Sequence, residues 1–344
     1  MTTSAPKDVA AQLLMEQALG HLHTAALRSA AELRIADHLG AGPRTPEELA
    51  GTIGADATVL RRVLRLLASR GIFREDEAGA FHVTPAARML RTDEPGSLRT
   101  AVLMMTDGMF VRAATELTET VRTGEPGFPR VHGRTLWEHL ETDPAARALF
   151  HSGMAAYSDP VNDAVAAAYP FPAKGTVVDV GGGRGGLLGS ALRHHPGLTG
   201  VLLDQAAAVR EPLLVGDPAV AGRWQAVAGD FLTSVPDGAD VYVVKQVLPD
   251  WDDENAVRIL GACRRAMAPG GRVLVVDAVL GPDNAPHPGK AVDVMMMTLG
   301  GGRHRDLAEL DALFAAAGLR RTRVVPTGAP ASVVEAEAGV SHSS

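Results

Sequence analysis

A glycine-rich segment with acids on either side is the part of the sequence best suited to bind a ligand. Gly181, Gly183 and Gly186 fit the spacing G-x-G-x-x-G after a hydrophobic stretch, and Asp204 ends the next hydrophobic stretch. Glycines let the chain turn sharply and let a ligand approach the backbone closely. This spacing, between a strand and a helix, predicts a site for a nucleoside-containing ligand.

The acid that precedes the loop indicates the charge of that ligand. Asp179 stands two residues before Gly181, where its carboxylate would repel a pyrophosphate and attract a cation. S-adenosylmethionine (SAM) carries an ammonium and a sulfonium and has no phosphate, so the pattern favours SAM over a dinucleotide. Asp204 suits a ribose diol, because a carboxylate can accept two hydroxyl protons. The alternative is a structural glycine turn with two incidental acids.

A second group of candidate contacts is Gly229-Asp230-Phe231, at the end of the third predicted strand. The Asp230 carboxylate could accept from an adenine amino group, and the Phe231 ring could stack on the base. An aspartate that caps a helix explains Asp230 equally well.

Alternating strands and helices must position these residues. After Pro170-Phe171-Pro172 the hydrophobic pattern predicts helices such as Asn255–Met267 and Asp306–Ala317 between strands. Such alternation predicts a parallel sheet that is covered on both faces. The predicted strands are Thr176–Val180, Gly200–Leu203, Trp224–Ala228, Val241–Lys245, Arg272–Asp277 and one near Val324.

The chain before this sheet is predicted to be helical. Its first part has three helices followed by a hairpin around Gly79, which is a winged-helix pattern. The predicted boundaries are 1–100 for the winged-helix domain, 101–172 for a helical linker and substrate-pocket region, 173–338 for the cofactor-binding domain and 339–344 for a disordered tail.

Composition narrows the function classes. The net charge of −7 argues against general nucleic-acid binding, and no signal peptide or membrane-spanning run is evident, so no membrane partner is predicted. A single cysteine, Cys263, favours a reducing compartment, and we expect the cytoplasm. The pairs His21/His23 and His194/His195 lack ligand spacing, so no metal is predicted.

Taken together, these motifs resemble the plant-type small-molecule O-methyltransferases and their bacterial natural-product relatives over nearly the whole chain. The resemblance implies a Rossmann-like class I methyltransferase domain behind an N-terminal all-helical winged-helix dimerisation domain. It further implies a homodimer that exchanges its N-terminal helices. Among the predicted cofactor contacts, the resemblance adds Lys245 and Ser158; the full set is Ser158, Asp179, Gly181, Gly183, Asp204, Gly229, Asp230, Phe231 and Lys245.

The departures from this family concern the proton. The family's general base is a histidine directly before an Asp-Trp pair, and Pro249 stands there, before Asp250. Asp277 occupies the place of the acid that orients the histidine, and His304 replaces a second acid. The predicted catalytic residues are therefore His304, Asp250, which would contact the acceptor, and Asp277.

Three interpretations stay open. His304 could itself be the base, because histidine titrates near neutrality. An acidic hydroxyl could instead be methylated by positioning alone, without a base. Finally, as in some relatives of this fold, SAM could be bound without methyl transfer in a hydroxylase, decarboxylase or pericyclase.

The predicted reaction is methylation of a hydroxyl on an aromatic, polyketide-like metabolite. Met104, Met105, Met154 and Met296 are predicted to line an apolar substrate site, although core packing is the commoner use of methionine. Carbon or nitrogen methylation is not excluded by the residues. A rival interpretation is a DNA-binding regulator, with Arg61, Arg62, Arg65 and Arg70 on the third helix.

Overall fold

The computed structural model describes residues 6–339, so the predicted tail lies outside them except for Gly339. The described chain forms two compact units. One contains the chain up to Val111 together with Trp137–Tyr157, and the other contains Arg112–Leu136 together with the chain from Ser158 onward. The helical region predicted as 101–172 thus contributes to both units.

The winged-helix pattern predicted for the N-terminal part is confirmed. Thr45 and Glu48 form a reciprocal capping box, and Asp56 caps the third long helix through the Val59 amide. The hairpin buries Phe73 and Phe81 in a core of leucines and alanines. The elements are α1 (Pro6–Ala18), α2 (Gly20–Glu32), α3 (Ile35–His38), α4 (Pro46–Ile53), α5 (Ala57–Ala68), β1 (Phe73–Glu75), β2 (Phe81–Val83) and α6 (Pro85–Arg88).

Six helices follow before the large sheet begins. They are α7 (Arg99–Met105), α8 (Gly108–Ala114), α9 (Leu117–Thr123), α10 (Gly127–His132), α11 (Leu136–Thr142) and α12 (Pro144–Ala168). The longest, α12, contains Pro160 and passes from the first unit into the second at Ser158. Among the described residues, no helix has the length and apolar character needed to cross a bilayer.

The second unit holds a seven-stranded sheet, and the five predicted strands between residues 176 and 277 are present to within two residues. Its strands are β3 (Gly175–Val180), β4 (Leu198–Asp204), β5 (Trp224–Ala228), β6 (Val241–Lys245), β7 (Arg272–Asp277), β8 (Leu319–Pro326) and β9 (Ser332–Ala338). Its helices are α13 (Gly186–His194), α14 (Asp253–Ala266), α15 (Pro288–Leu299) and α16 (Leu307–Ala316).

The prediction of an entirely parallel sheet is wrong at one edge. The strand order is β5-β4-β3-β6-β7-β9-β8, and β9 runs antiparallel to both β7 and β8. A short connection joins β8 to β9, which suits an antiparallel pair. The sequence pattern missed β9 because Glu335 and Glu337 interrupt its apolar residues, yet Glu335 is buried and paired with Arg323.

Both faces of the sheet are covered, as predicted. Val178 and Val180 pack into a core with α14 and α16, whereas Val177 packs with α13 on the opposite face. The parallel strands β3 to β7 end at one edge of the sheet, and the order reverses between β3 and β6. Ligands of open α/β sheets bind at such a reversal, beyond the carboxyl ends of the strands.

Candidate functional site

The glycine loop leads from β3 into α13 and is folded against the end of β4. Gly181, Gly183 and Gly185 all have positive φ values, of 67°, 58° and 82°, which favour glycine. The Gly181 amide donates to the Leu203 carbonyl at 2.8 Å. A Cβ added at Gly183 would meet no atom within 4 Å, so the outer side of the loop is open to a ligand.

Asp179 lies beneath this loop and is not a surface acid. Only 1% of it is exposed, and neither carboxylate oxygen has a hydrogen-bond partner. A Cβ on Gly182 would lie 2.5 Å from Asp179 Cγ, so the loop sits directly over the carboxylate. Burial raises the pKa of Asp179 to about 6, against the attraction of Lys245. Asp179 therefore acts on a ligand through its field across the loop.

Asp204 and Asp230 both hold local backbone in addition to their predicted roles. Asp204 Oδ2 accepts from the Gly183 amide at 2.7 Å, which fixes the glycine loop from below. Asp230 Oδ1 accepts from the Leu232 amide, and its Oδ2 accepts from the Thr233 hydroxyl, so Asp230 closes a turn and does not cap a helix, because no helix follows it between β5 and β6. Each carboxylate keeps further lone pairs for a ligand.

Phe231 and Val247 flank the first glycine of the loop. A Cβ added at Gly181 would lie 2.7 Å from Val247 and 3.3 Å from Phe231. The Phe231 ring also packs edge-on against Trp251, with 6.0 Å between ring centroids. Val247 and Phe231 therefore pack directly on the Gly181 backbone and leave no room for a side chain there, which places the Phe231 ring beside the glycine loop.

Lys245, at the end of β6, is held by α12. Its ammonium donates to Ser158 Oγ and, at 2.7 Å, to Asn162 Oδ1. Burial lowers the pKa of Lys245 to about 8, although Asp179 and Asp159 favour its charged form. The predicted contacts Lys245 and Ser158 are therefore neighbours in the structure.

Two residues of this cluster were missed by sequence reasoning. Asn162 Nδ2 donates to Asp159 Oδ1 at 3.2 Å, and both side chains face the position where Gly186 would carry a Cβ. The exposed Asp159 can therefore approach a cation at the loop, which the buried Asp179 cannot. The signal was available, because residues 158 and 162 are four apart and share one face of a helix.

A short turn after β6 carries Pro249, the residue that is predicted to stand where the family has its histidine. Leu248–Asp250 forms one 3₁₀ turn, in which Pro249 is buried. Asp250 keeps an exposed surface, yet desolvation by the surrounding protein raises the pKa of its carboxyl to about 6. Asp277, at the end of β7, is 5% exposed; burial, with the nearby charge of Asp250, raises its pKa well above the usual range.

His304 lies in the loop that is docked on this turn. The Arg303 amide donates to the Pro249 carbonyl at 2.9 Å, and a Cβ on Gly302 would lie 2.6 Å from the same oxygen. The backbone amide of His304 donates to Asp293 Oδ1 at 2.6 Å. Burial lowers the pKa of the imidazole, whose Nδ1 has no partner. The loop that carries His304 is thus bonded through its backbone to Pro249.

The predicted substrate methionines divide between the two units. Met296 Cε lies 3.0 Å from the position of a Cβ on Gly302, next to Pro249. Met104, Met105 and Met154 belong to the first unit, where Met104 is buried against Gly153. The core-packing interpretation therefore describes Met104 within that unit.

The residues at the strand ends fit SAM. The open glycine turn, the unpaired buried carboxylate of Asp179 and the Phe231 ring beside the loop match a cationic nucleoside, and Lys245 can meet its carboxylate. In the described part of the chain, no group of three or more His, Cys, Asp or Glu side chains is arranged to hold a metal.

Comparison with known proteins identifies the family. Residues 114–320 match the O-methyltransferase domain, and residues 15–93 match the O-methyltransferase dimerisation domain. The chain belongs to this O-methyltransferase family. As a member it is a SAM-dependent O-methyltransferase with a class I methyltransferase domain.

Several similar O-methyltransferases cover almost the whole chain. The phenazine O-methyltransferase PhzM of Lysobacter antibioticus is 39% identical over 94% of this chain and 95% of its own. The 2,7-dihydroxy-5-methyl-1-naphthoate 7-O-methyltransferase of Streptomyces carzinostaticus is 42% identical over 86% and 88%. CalO1, a methyltransferase of calicheamicin biosynthesis solved with SAH, is 46% identical with a TM-score of 0.92, covering 98% and 100%.

One relative in this family has a different activity. The aclacinomycin 10-hydroxylase RdmB of Streptomyces purpurascens is 36% identical over 91% of this chain and 86% of its own. The interpretation without methyl transfer therefore keeps a precedent among related chains.

Proposed function

We propose that this O-methyltransferase methylates a hydroxyl of an aromatic secondary metabolite. The observation that carries the proposal is the unpaired carboxylate of Asp179 beneath an open glycine turn, since it favours a cationic cofactor there. The acceptor class is supported by relatives named for phenazine and naphthoate substrates.

The roles of the binding residues follow from their placement. When bound, SAM supplies an electrophilic methyl group on a sulfonium. Lys245 and Ser158 bind its carboxylate, and Asp159 and the glycine loop meet its ammonium. Asp204 binds the ribose, while Phe231 and Asp230 hold the adenine. Met296 and Asp250 lie towards the acceptor.

His304 is the group proposed to take the acceptor proton. Burial keeps its imidazole neutral near neutral pH, so a ring nitrogen is free to accept. The adjacent Asp293 carboxylate stabilises the imidazolium that results. Asp277 is proposed to shape the charge at this end of the site, because its carboxyl and that of Asp250 repel each other when both are ionised.

The test is incubation with methyl-labelled SAM and a panel of phenolic aromatic compounds. We expect one acceptor to gain the mass of a single methyl group while SAH appears in equal amount. Binding of SAM by calorimetry without its consumption, for every acceptor tried, would contradict the proposal. That result would favour a SAM-binding hydroxylase, decarboxylase or pericyclase. The relative RdmB and the proline at position 249 both support this alternative.

The enzyme is further proposed to be a homodimer. Leucines of α1 and α2 expose an apolar surface at the start of the dimerisation domain, where Leu14 directly precedes the matched residues and is 70% exposed. Such a surface is typical of a subunit interface. The prediction of a cytoplasmic location rests on the single cysteine, Cys263, which is buried as a free thiol.

The DNA-binding alternative is disfavoured by the ion pairs of α5. Arg61 pairs with Glu47, and Arg65 forms two hydrogen bonds to Glu75, so both charges are compensated within the unit. A gel-shift titration at low salt checks this, and we expect no retarded band.

A further inference from the structure

The loop that carries His304 has no regular secondary structure, so other contacts must hold the imidazole in place. Residues 302–306 lie between α15 and α16 without helical or strand hydrogen bonds. A base must be held within hydrogen-bond reach of the proton that it accepts. The residues that anchor this loop therefore bear on catalysis.

Arg305 is the most extensively bonded anchor. It is only 4% exposed, and its guanidinium donates to the Leu248 carbonyl and the Trp251 carbonyl, each at 2.8 Å. It also donates twice to Asp253 Oδ1, at 3.0 and 2.8 Å. One side chain thus binds both ends of the turn that contains Pro249 and Asp250, and the first residue of α14.

Arg303 completes the arrangement on the other side of His304. Its amide donates to the Pro249 carbonyl, and its guanidinium pairs with Asp253 and Glu309. His304 therefore stands between two arginines that are tied to the same segment, 248–253. The charged groups that face the imidazole are Asp293 and His287.

We propose that Arg305 is a positioning residue that fixes His304 relative to Asp250 and the turn at Pro249. A planar guanidinium with a fixed fork of donors can hold two carbonyls and a carboxylate at once, which a lysine cannot. The inference rests on the proposed function, in which His304 accepts the proton.

The experiment compares Arg305→Lys, Arg305→Met and Asp253→Asn with the wild type. Displacement of a catalytic group by about 1 Å costs about a hundredfold in rate. We expect Arg305→Met to lower kcat by that order while the Kd of SAH, measured by calorimetry, stays unchanged. Arg305→Lys keeps the charge but loses the fork, so its kcat should fall by a smaller factor.

A second readout separates positioning from general stability. Burial lowers the pKa of His304, so freeing its loop should move the imidazole pKa upward, which NMR titration measures after assignment with His304→Ala. Asp253→Asn should shift it in the same direction even if Arg305→Met does not fold. Arg264→Met is the matched control, because Arg264 holds the Gly318 carbonyl from α14, and it should leave the pKa of His304 unchanged.

Two results would overturn the inference, and the pKa of His304 can be measured whether or not methyl transfer occurs. An unchanged His304 pKa and kcat in both Arg305→Lys and Asp253→Asn would remove the positioning role. An equal pKa shift in Arg264→Met would show that loss of stability alone produces the effect. Absence of methyl transfer in the wild type would instead contradict the proposed function.

Discussion

His304 is the proposed proton acceptor of this enzyme, since Pro249 stands where the resemblance to the family implies a histidine. Substitution of His304 by alanine should lower kcat for a weakly acidic phenol by about a hundredfold, which is typical for loss of a general base. The loss should shrink along a series of increasingly acidic phenols, because these ionise without help. Initial rates with labelled SAM measure both effects.

The pH dependence of kcat/KM provides a second test of the role of His304. Burial lowers the pKa of His304, so kcat/KM should stay constant above its ordinary value and fall only at lower pH. His304→Ala should lose this acidic limb, whereas His194→Gln, at the end of α13, should retain it. Equal rates for wild type and His304→Ala across the phenol series would remove the histidine from the mechanism.

Asp179 is expected to cost stability in exchange for cofactor affinity. Its pKa of about 6 lies above the usual 3.8, so the folded state holds the proton more tightly than the unfolded chain. The loss of folding stability therefore develops as the pH rises from about 4 to about 6, and it has its full size above pH 6. Asp179→Asn should raise the free energy of unfolding near pH 8, by at most about 3 kcal/mol, and weaken SAM binding.

Urea unfolding at about pH 8 and about pH 5 measures the change in stability of Asp179→Asn, and calorimetry measures its affinity for SAM. The stability difference between Asp179→Asn and wild type should shrink at the lower pH, where the wild-type carboxyl is largely protonated. The exposed Asp237→Asn controls for loss of one negative charge. A variant that binds SAM as tightly as the wild type would contradict the assigned role.

At the scale of elements, two glycines of the loop between β3 and α13 have different surroundings: one faces open space and the other faces packed side chains. Gly183 and Gly185 both have positive φ, but an added Cβ meets open space at Gly183 and Leu214 Cδ1 at 2.3 Å at Gly185. Gly183→Ala should cost about 1 kcal/mol of stability through backbone strain and strongly weaken SAH binding. Gly185→Ala should cost about 1–3 kcal/mol more through the clash.

Chemical denaturation and calorimetry on the two variants provide the comparison. Each is the control for the other, because their backbone strain is similar and only their surroundings differ. If Gly183→Ala bound SAH normally, the ligand would not approach the loop from its open side.

Much of this architecture could be predicted, because local patterns specify it. The strands from β3 to β7 are apolar runs, and their order of helices and strands predicts the site at their carboxyl ends. By contrast, β9 escaped prediction, since its buried Glu335 is compensated by Arg323 and Tyr169 from distant positions. Local sequence does not reveal partners that only tertiary contacts supply.

The candidate site, too, could be predicted where local motifs specify it and could not be predicted where tertiary contacts do. Asp179, Asp204 and Lys245 follow from motifs at strand ends, and the structure gathers them around one loop. That Asp179 is sealed beneath the loop could not be read from its position in the sequence. Nor could the role of Arg305, whose acceptors are two backbone carbonyls about fifty residues away.

At the scale of the whole molecule, assembly should depend on the apolar surface of the first two helices. Leu14→Glu combined with Leu22→Glu places charges on exposed leucines of α1 and α2, so burial between subunits becomes unfavourable. Light scattering should show the mass falling from about twice 35.9 kDa to about one copy.

Val215→Glu, on an exposed valine of the second unit, is the control and should not change the mass. A wild-type mass of one copy, or an unchanged dimer in the double variant, would exclude this surface as the interface. Loss of the dimer with retained SAH binding would show that the cofactor site folds without assembly.

The insertion of β9 between β7 and β8 also has a consequence for biosynthesis. Of the seven strands, β9 leaves the ribosome last, yet it supplies the hydrogen bonds for one side of each neighbour. Until then β7 presents a bare edge and β8 has no place in the sheet. Products of premature termination after Pro326 should therefore be aggregation-prone and rapidly degraded, and the maturing polypeptide gains a finished sheet only once β9 has been synthesised.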